Sequence, residues 1–365
     1  MDVLYFENLK KCPEFVPGYK RPGTYFRVKI EDVEIEANYE NVEENKAVII
    51  RAGKNMRQSH WIHIYAVYKY FEQQNKKLEE IILELENRKK PIKKIEILNK
   101  EKWIKKDILK LKTKEKEPGS HCKFCIKKEQ CHAEFFKNKN YLVVPSINKK
   151  MISDFEEMEI DPVDIIKSNQ IEKFPQHRKK LYNLKSLLKN EPLKIKPFKL
   201  PNSYIIFDVE SYYSLDFLFG FLNNDEYIPF VFTKKDRKKM KKMIDYLTKE
   251  NKQLVHYDKH DVMALARISK EIPEYKKKID KLIKNAMDIY EVILKNYSFP
   301  VTSYSLKDIS KYYNFNWRTK LNGFAVIIEY NRYLKGETKI MQTILDYNED
   351  DCRATKVLLE EMKKI

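Results

Sequence analysis

Several kinds of segment are missing from the 365 residues of this chain. No apolar run approaches the roughly 20 residues that a membrane-spanning helix needs. The N-terminal stretch MDVLYFENLKKC lacks the basic-then-apolar order of a secretory signal. These absences predict a cytoplasmic protein with no membrane partner.

Glycine and cysteine are both rare, with 7 and 5 residues. Low glycine beside abundant lysine, glutamate and isoleucine is a feature of thermophilic proteins. Inside a cell, thiols stay reduced, so we interpret the cysteines as metal ligands or free thiols and not as disulfides.

Basic residues are in clear excess, with 72 Lys and Arg against 54 Asp and Glu, a formal charge of +18. Such an excess favours a polyanionic partner. Nucleic acid is preferred over a membrane because no amphipathic basic terminus or lipidation motif accompanies the charge. A solvated, lysine-rich surface is the alternative interpretation.

The sequence patterns divide the chain into three regions. Residues 1–140 mix strand-like alternation with a long helical stretch, SHWIHIYAVYKYFEQQNKKLEEIILELENRKK, and end in a cysteine cluster. Residues 141–200 are helical in period and finish in a proline-containing linker. Residues 201–365 begin with the strand-like segments YIIFDVES, FLFGFLNNDEYIPFVF and QLVHYD, followed by helices alternating with loops, which predicts an α/β domain.

Two carboxylates end the first strand of this third region. Asp208 and Glu210 are two residues apart, so on a strand they point to the same face. Adjacent like charges repel and resist desolvation, so a positive group is expected beside them. A Lys or Arg side chain or a divalent metal ion satisfies this requirement.

Further acidic motifs follow along the chain. The segment QLVHYDKHD places Asp258 and Asp261 where a strand gives way to a helix, and Tyr347 and Asp351 are four apart on one helical face. Two divalent cations about 3.5–4 Å apart can clamp the attacking and leaving oxygens of a phosphodiester. Mg²⁺ or Mn²⁺ suits such oxygen ligands, and a nearby phenol can orient the attacking water.

In this order, the segments FDVES, HYDKHD, SYSLKDISKYYNFNWR and YNEDDCRAT resemble the DnaQ-like (DEDD) exonucleases of the ribonuclease-H-like fold. They are most similar to the tyrosine-bearing subgroup and to its RecB-associated, YprB-type branch. The resemblance covers about the last 165 residues. It implies that two Mg²⁺ or Mn²⁺ ions are held by Asp208, Glu210, Asp261 and Asp351, with Tyr347 positioning the water. The second motif departs from the family pattern, so Asp258 stays an alternative to Asp261.

The resemblance also implies a function. It predicts a 3′→5′ exonuclease of single-stranded DNA or frayed 3′ ends, in DNA repair or replication-fork processing. The two-part architecture is similar to archaeal helicase-associated nucleases, which implies a DNA helicase as partner. An RNA-directed exonuclease and a non-catalytic nucleic-acid scaffold are the alternatives. Lys307 is a candidate phosphate contact, and Trp317 could stack on a base with Arg318 on its phosphate, unless Trp317 is a core residue.

The cysteine cluster HCKFCIKKEQC contains Cys122, Cys125 and Cys131, and Cys12 lies far upstream. This arrangement is similar to RecB-family nucleases, which implies a 4Fe–4S cluster on the four cysteines. Tetrahedral zinc is the competing interpretation. The flanking residues His121 and His132 are expected on the surface, with a role as substitute zinc ligands as the alternative. Cys352 is expected to be buried.

A RecB-type domain would also carry an Asp and then an acid-x-Lys triplet on the next strand. The corresponding strand, KAVIIRAGK, has Ile49 and Ile50 at the acidic position, and Asn38 stands near the preceding one. We therefore predict a degenerate, non-catalytic α+β domain that holds nucleic acid or a partner.

Other polar residues near the motifs have simpler explanations. Asp288 and Ser305 are predicted to cap helices, and Asp350 is predicted to face solvent.

Overall fold

The computed structural model describes residues 4–5, 12, 16–17, 23–51, 55–85, 88–112, 115–119, 121–122 and 125–365. It divides into two compact domains, Met1–Asn138 and Lys139–Ile365. The first is α+β and the second is a helix-rich α/β domain, so the predicted mixed α/β class is confirmed. No helix in the described parts of the chain has both the length and the apolar character needed to cross a membrane.

The N-terminal domain contains two small sheets. In the described residues their strands are β1 (Leu4–Tyr5), β2 (Thr24–Ile30), β3 (Val33–Tyr39), β4 (Asn41–Glu43), β5 (Lys46–Ile50), β6 (Glu80–Leu85) and β7 (Arg88–Lys93). One sheet has the order β1-β3-β2 and the other the order β4-β5-β6-β7. Strands β5 and β6 are parallel, and the other pairs of the second sheet are antiparallel.

Four helices accompany these strands: α1 (Gln58–Gln73), α2 (Lys94–Leu98), α3 (Glu101–Lys112) and α4 (Lys128–Lys137). The predicted helical stretch is correct only for α1, because the chain turns at Asn75, which has a φ of 53°. The segment that follows forms β6 instead. Its buried residues Ile81, Leu83 and Leu85 alternate with partly exposed ones, which is the period of a strand and not of a helix.

The C-terminal domain is built on a five-stranded sheet. The strands of the domain are β8 (Leu193–Lys194), β9 (Tyr204–Tyr212), β10 (Leu215–Asn223), β11 (Glu226–Val231), β12 (Gln253–His256), β13 (Met287–Asp288) and β14 (Tyr297–Ser298). Strands β8 and β14 form a separate two-stranded sheet. The sheet order is β11-β10-β9-β12-β13, with β9 central. Strands β9, β10 and β11 are joined by antiparallel pairing, whereas β12 is parallel to both β9 and β13.

The helices of this domain are α5 (Lys149–Glu157), α6 (Pro162–Lys167), α7 (Arg178–Lys189), α8 (Arg237–Glu250), α9 (His260–Glu271), α10 (Lys276–Asn285), α11 (Ile289–Asn296), α12 (Leu306–Tyr312), α13 (Gly323–Leu334) and α14 (Ile340–Lys364). Successive residues of β9 face opposite sides of the sheet, and both sides are covered. Phe207 packs in a cluster with residues of α8 and α9, whereas Ile206 packs with residues of α11 and α14. Burial on both faces explains why β9 is apolar up to its acidic end.

Residues 139–200 belong to the same compact unit as this sheet. Strand β8 lies in the segment predicted to be a linker, and it pairs with β14. Lys179 of α7 is inserted beside the end of α11, where its ammonium donates to the main-chain oxygens of Ile293 (3.1 Å) and Tyr297. The region predicted as a connector is therefore a structural part of the C-terminal domain.

Candidate metal-binding site

Three carboxylates meet where the central strand lies against the C-terminal helix. Asp208 and Glu210 project from β9 and Asp351 from α14, and one oxygen of each lies within 4.8 Å of the others. Glu210 and Asp351 are 7% and 9% exposed, and Asp208 is partly exposed. In the part of the chain that the structure describes, this is the only group of three potential metal ligands so close together.

A fourth carboxylate lies beside this cluster. Asp261, in the first turn of α9, is 2% exposed, and its Oδ1 accepts a hydrogen bond from the main-chain N–H of Val209 (3.1 Å), the residue between Asp208 and Glu210. Among the residues that the structure describes, none hydrogen-bonds with its Oδ2. His256 Nδ1 is 3.9 Å from that oxygen and donates instead to the main-chain oxygen of residue 258.

The alternative second-motif residue, Asp258, does not point into the cluster. It is exposed, has a left-handed φ of 76°, and its carboxylate accepts a hydrogen bond from the main-chain N–H of Lys259 (2.7 Å). The structure thus places Asp261, and not Asp258, beside the other acids.

The acidic side chains are held in an environment that opposes their charge. Burial, and then repulsion from neighbouring carboxylates, raises the pKa of Asp208, Glu210 and Asp261 well above the usual range. Burial also raises the pKa of Asp351 to about 6. A buried group of like charges is stable only when a positive charge offsets it, and hard carboxylate oxygens suit Mg²⁺ or Mn²⁺. The donor set therefore fits divalent metal ions.

One lysine approaches the cluster without neutralising it. The ammonium of Lys307 lies 4.9 Å from the ring centre of Tyr347 and 5.2 Å from that of Trp317. It donates to the main-chain oxygen of Leu321 (2.5 Å). Burial lowers the pKa of Lys307, although the charges of Asp351 and Glu210 oppose this shift. One cation in this position cannot balance four carboxylates.

Tyr347 lies one helical turn before Asp351, as the four-residue spacing predicts. Its side chain is 6% exposed and its hydroxyl interacts electrostatically with the Asp351 carboxylate. Burial, followed by the charges of Asp351 and Glu210, raises the pKa of Tyr347 well above the usual range. The phenol is therefore neutral and keeps its proton.

Trp317 and Arg318 contact the acidic helix directly. The Trp317 indole N–H donates to Asp351 Oδ1 (2.7 Å), and the side chain is half-buried, so this tryptophan is not a core residue. The Arg318 guanidinium donates from Nε to Asp350 Oδ1 (2.8 Å) and from a terminal nitrogen to Glu349 (2.9 Å). Asp350 is 3% exposed. The prediction that it faces solvent is wrong, because Arg318 covers it.

Sequence reasoning missed the groups that hold Asp208. The side-chain amide of Asn348 donates to Asp208 Oδ2 (2.7 Å), and the Tyr227 hydroxyl donates to Asn348 Oδ1 (2.8 Å). A Cβ atom on Gly220 would lie 1.8 Å from Asn348 Oδ1. A glycine inside the apolar strand segment FLFGFL was the available signal, since such a glycine marks a close approach by another group.

The simpler structural predictions nearby are confirmed. Asp288 caps α11 by accepting from the main-chain N–H groups of Tyr290 (2.9 Å) and Glu291 (3.3 Å). Ser305 caps α12. Cys352 is fully buried, and its thiol faces the main-chain oxygen of Gly220 (3.6 Å).

The other four cysteines lie in the N-terminal domain, and none of the chain's five cysteines, all described, forms a disulfide. The main-chain N–H of Val16 donates to the Cys125 sulfur (3.3 Å), and Pro17 forms an isolated antiparallel bridge with Cys125. This contact brings the segment after Cys12 to the C-x₂-C loop. No three cysteine or histidine ligands of the described residues lie within 4.8 Å of one another.

The two histidines beside this loop were predicted to lie on the surface, but in the structure they are buried. His121 and His132 are 5% and 7% exposed. The Cys122 sulfur lies 3.6 Å from His121 Nε2. Both rings are therefore buried.

The N-terminal domain contains a second buried polar group, which we call the Arg51 network (Asn38, Glu40, Arg51 and His63). The Arg51 guanidinium donates to Asn38 Oδ1 (3.1 Å) and His63 Nδ1 (2.6 Å), and pairs with Glu40 (3.5 Å). His63 Nε2 donates to the main-chain oxygen of Asn38 (2.6 Å). The residue predicted to replace a catalytic Asp, Asn38, is therefore hydrogen-bonded to an arginine.

A family model of the RNase H superfamily matches residues 205–363, which extend from β9 into α14. The match supports an RNase H-like nuclease domain in the C-terminal half, where the acidic cluster lies. Nucleases of this superfamily act on nucleic acids and use divalent metals, and the cluster is compatible with such ions. No curated protein and no solved structure matches the chain.

Proposed function

We propose that this protein is a divalent-metal-dependent 3′→5′ exonuclease that hydrolyses phosphodiester bonds at the 3′ ends of single-stranded DNA. The observation that carries the proposal is the convergence of Asp208, Glu210 and Asp351 from segments about 140 residues apart, with Asp261 and Tyr347 beside them. The 3′ polarity, the preference for DNA, and a role in DNA repair beside a helicase rest on the motif resemblance.

In this proposal, Asp208, Glu210, Asp261 and Asp351 hold two Mg²⁺ or Mn²⁺ ions. The unpartnered Oδ2 of Asp261 and the raised pKa values of the cluster both fit cation ligands. When bound, such ions polarise the phosphodiester and make water a stronger nucleophile.

The side chains around the ions orient the reactants. The neutral hydroxyl of Tyr347, next to Asp351, is suited to hold the attacking water by a hydrogen bond. The water oxygen bonds to phosphorus and the P–O3′ bond breaks, with one proton transferred to the departing 3′ oxygen. The products are a nucleoside 5′-monophosphate and a strand shortened by one residue. The ammonium of Lys307 supplies positive charge for the phosphate.

The proposal is tested with matched 5′-labelled DNA and RNA oligonucleotides in Mn²⁺. We expect a ladder of progressively shorter DNA products, which a blocked 3′ end prevents. Asp208→Ala should abolish the ladder, and Tyr347→Phe should reduce its rate. Faster cleavage of RNA would favour the RNA-directed alternative, and unchanged turnover in Asp208→Ala would contradict the metal site.

We also propose that Cys12, Cys122, Cys125 and Cys131 hold a 4Fe–4S cluster, with zinc as the alternative. The bridge between Pro17 and Cys125 supports a shared centre, because it draws the Cys12 segment to the loop. Burial raises the pKa of the Cys122 thiol, so its thiolate needs the positive charge that a metal supplies. Iron, sulfide and zinc contents and the visible absorption of anaerobically purified protein distinguish the two. Absence of iron, sulfide and zinc from the purified protein would contradict a metal centre.

A further inference from the structure

We propose that Asn348 is a positioning residue that sets the orientation of Asp208 for metal binding. The inference rests on the proposed function and names part of the same site. Asn348 is fully buried, although its amide is polar. Such a side chain is kept in a core only when its hydrogen-bonding groups are satisfied.

The orientation of this amide is determined by its partners. The Tyr227 hydroxyl donates to Asn348 Oδ1, so the amide nitrogen is turned toward Asp208. That nitrogen donates to Asp208 Oδ2 (2.7 Å) and lies 3.3 Å from the main-chain oxygen of the same residue. Occupation of Oδ2 leaves Oδ1 of Asp208 for a cation.

Gly220 makes room for this arrangement. It is paired with Asp208 across β9 and β10, and an added Cβ would lie 1.8 Å from Asn348 Oδ1 and 2.7 Å from the Tyr227 ring. Both distances are far below a normal contact. Any side chain at this position would displace the amide from Asp208.

The test measures Mn²⁺ binding by calorimetry without DNA, and the Mn²⁺ dependence of cleavage. Outer groups that orient metal ligands typically contribute 10- to 100-fold to metal affinity or activity. We expect Asn348→Leu to weaken Mn²⁺ binding by about 10-fold or more. Tyr227→Phe removes one hydroxyl and leaves the buried Asn348 oxygen without its donor, so it should weaken Mn²⁺ binding about 3-fold and also lower the thermal midpoint.

Tyr246→Phe is the matched control, since the Tyr246 hydroxyl also pairs with an asparagine side chain, Asn223, away from the acids. Normal Mn²⁺ binding in both Asn348→Leu and Tyr227→Phe, or equal loss in the control, would overturn the inference. Because binding is measured without cleavage, a wild-type protein that binds Mn²⁺ but degrades nothing would contradict the proposed function alone. If Asn348→Leu does not fold, Tyr227→Phe decides the result.

A second inference comes from the charge distribution of the N-terminal domain. Residues 88–112 contain eleven Lys or Arg and three Asp or Glu, a net +8 of the chain's +18. They form β7, α2 and α3, and we use the name basic face for the exposed Lys and Arg side chains of residues 88–112. In the described residues β7 is an edge strand of its sheet, so the basic face includes an edge strand.

The arrangement of α3 separates its charges from its core. Ile104 and Ile108 are fully buried, whereas Lys102 and Lys106 are exposed and one turn apart. Their spacing along the helix axis is about 6 Å. In the described part of the chain, neither these lysines nor the exposed Lys90 forms an ion pair. Unpaired, regularly spaced ammonium groups are suited to a row of phosphates.

We infer that the basic face binds the sugar-phosphate backbone of nucleic acid. This goes beyond the proposed function, because it assigns binding to the domain without the acidic cluster. Full-length Asp208→Ala protein is used, so that a fluorescent single-stranded oligonucleotide is bound and not degraded. Lys102→Glu with Lys106→Glu should weaken oligonucleotide binding about 10-fold or more. The slope of log affinity against log salt concentration should also become less steep by about 2.

The matched control is Lys238→Glu with Lys242→Glu, which makes the same charge change at the same spacing on exposed positions of α8. Equal weakening by both pairs would mean that only net charge matters and would overturn the inference. Unchanged oligonucleotide affinity in the variant with Lys102→Glu and Lys106→Glu would also overturn the inference. This holds whether or not that variant loses binding to an acidic peptide.

Discussion

The two domains each bury a polar group between strands and a helix, but the two groups differ in charge balance. The acidic cluster contains four carboxylates, whose pKa values are all raised, and one nearby lysine. The Arg51 network supplies its own cation, which contacts Asn38, Glu40 and His63 directly. A site that is charge-balanced by its own side chains has no need of a metal ion. A site whose charge is not balanced by its own side chains can be stabilised by binding a metal ion.

The largest expected effect is on cleavage. Asp208→Ala should lower the rate of DNA degradation by about 1,000-fold or more, because it removes a proposed metal ligand. Arg51→Ala should leave the rate per folded molecule within about 2-fold, since no reacting group is lost. The rates are measured with a 5′-labelled oligonucleotide in Mn²⁺. Equal losses of cleavage rate in Asp208→Ala and Arg51→Ala would contradict the functional difference between the two domains.

The next effect is on the stability of the N-terminal domain. Arg51→Ala leaves polar partners buried without their cation, so we expect a loss of about 3–5 kcal/mol in unfolding free energy. Trp61 and Trp103 report this transition by fluorescence when Trp317 is replaced by Phe. Lys90→Ala, at an exposed position of the same domain, serves as control and should change the free energy by less than about 0.5 kcal/mol.

A smaller effect of opposite sign is expected at the acidic cluster. The raised pKa values mean that the metal-free folded state holds protons that the unfolded state has released, so its stability falls as the pH rises above about 4. The contribution of Asp351 to this fall is complete once the pH passes about 6. Asp208→Asn removes one repelling charge and should raise the metal-free unfolding free energy at pH 8 by about 1 kcal/mol.

Mn²⁺ should raise the thermal midpoint of the wild-type protein more at pH 8 than at pH 5, because protons compete with the ion. This shift should be lost in Asp208→Asn. Calorimetry with and without Mn²⁺ measures both effects. A lower metal-free stability in Asp208→Asn would indicate that the cluster is already charge-balanced.

Lys179 extends the comparison to a partly buried cation that has no acidic partner among the described residues. Burial lowers its pKa to about 7, so between pH 7 and 10.5 the unfolded state binds a proton that the folded state does not. The unfolding free energy should therefore rise with pH in this window, by at most about 1.4 kcal/mol per pH unit. Urea titrations should show that Lys179→Met removes this slope, whereas Lys189→Met, at an exposed position of the same helix, keeps it.

Local patterns in the sequence anticipated the elements that carry the acids. The apolar run before Asp208 predicted β9, and the four-residue spacing of Tyr347 and Asp351 predicted their contact. Both predictions depend only on residues that are close together in the sequence. The helical period assigned to residues 80–85 was wrong because a short apolar segment fits either period until its strand partners are known.

The groups that orient the acids were not predictable in the same way. Asn348 contacts Asp208 across 140 residues, and Trp317 contacts Asp351 across 34. Arg318 buries Asp350 from 32 residues away. Such contacts depend on how helices pack on the sheet, which no local period encodes. A glycine within an apolar strand was the single hint that something approaches β10.

The pairing of β8 with β14 determines where this protein can be divided. A truncation at residue 201 would remove the strand partner of Tyr297 and Ser298 and the lysine that donates to the end of α11. It would also uncover the aromatic side chains of Tyr297 and Phe299, both fully buried in the intact domain. Protein engineers who want the C-terminal domain alone should therefore begin it at Lys139, and expect insoluble material from the shorter version.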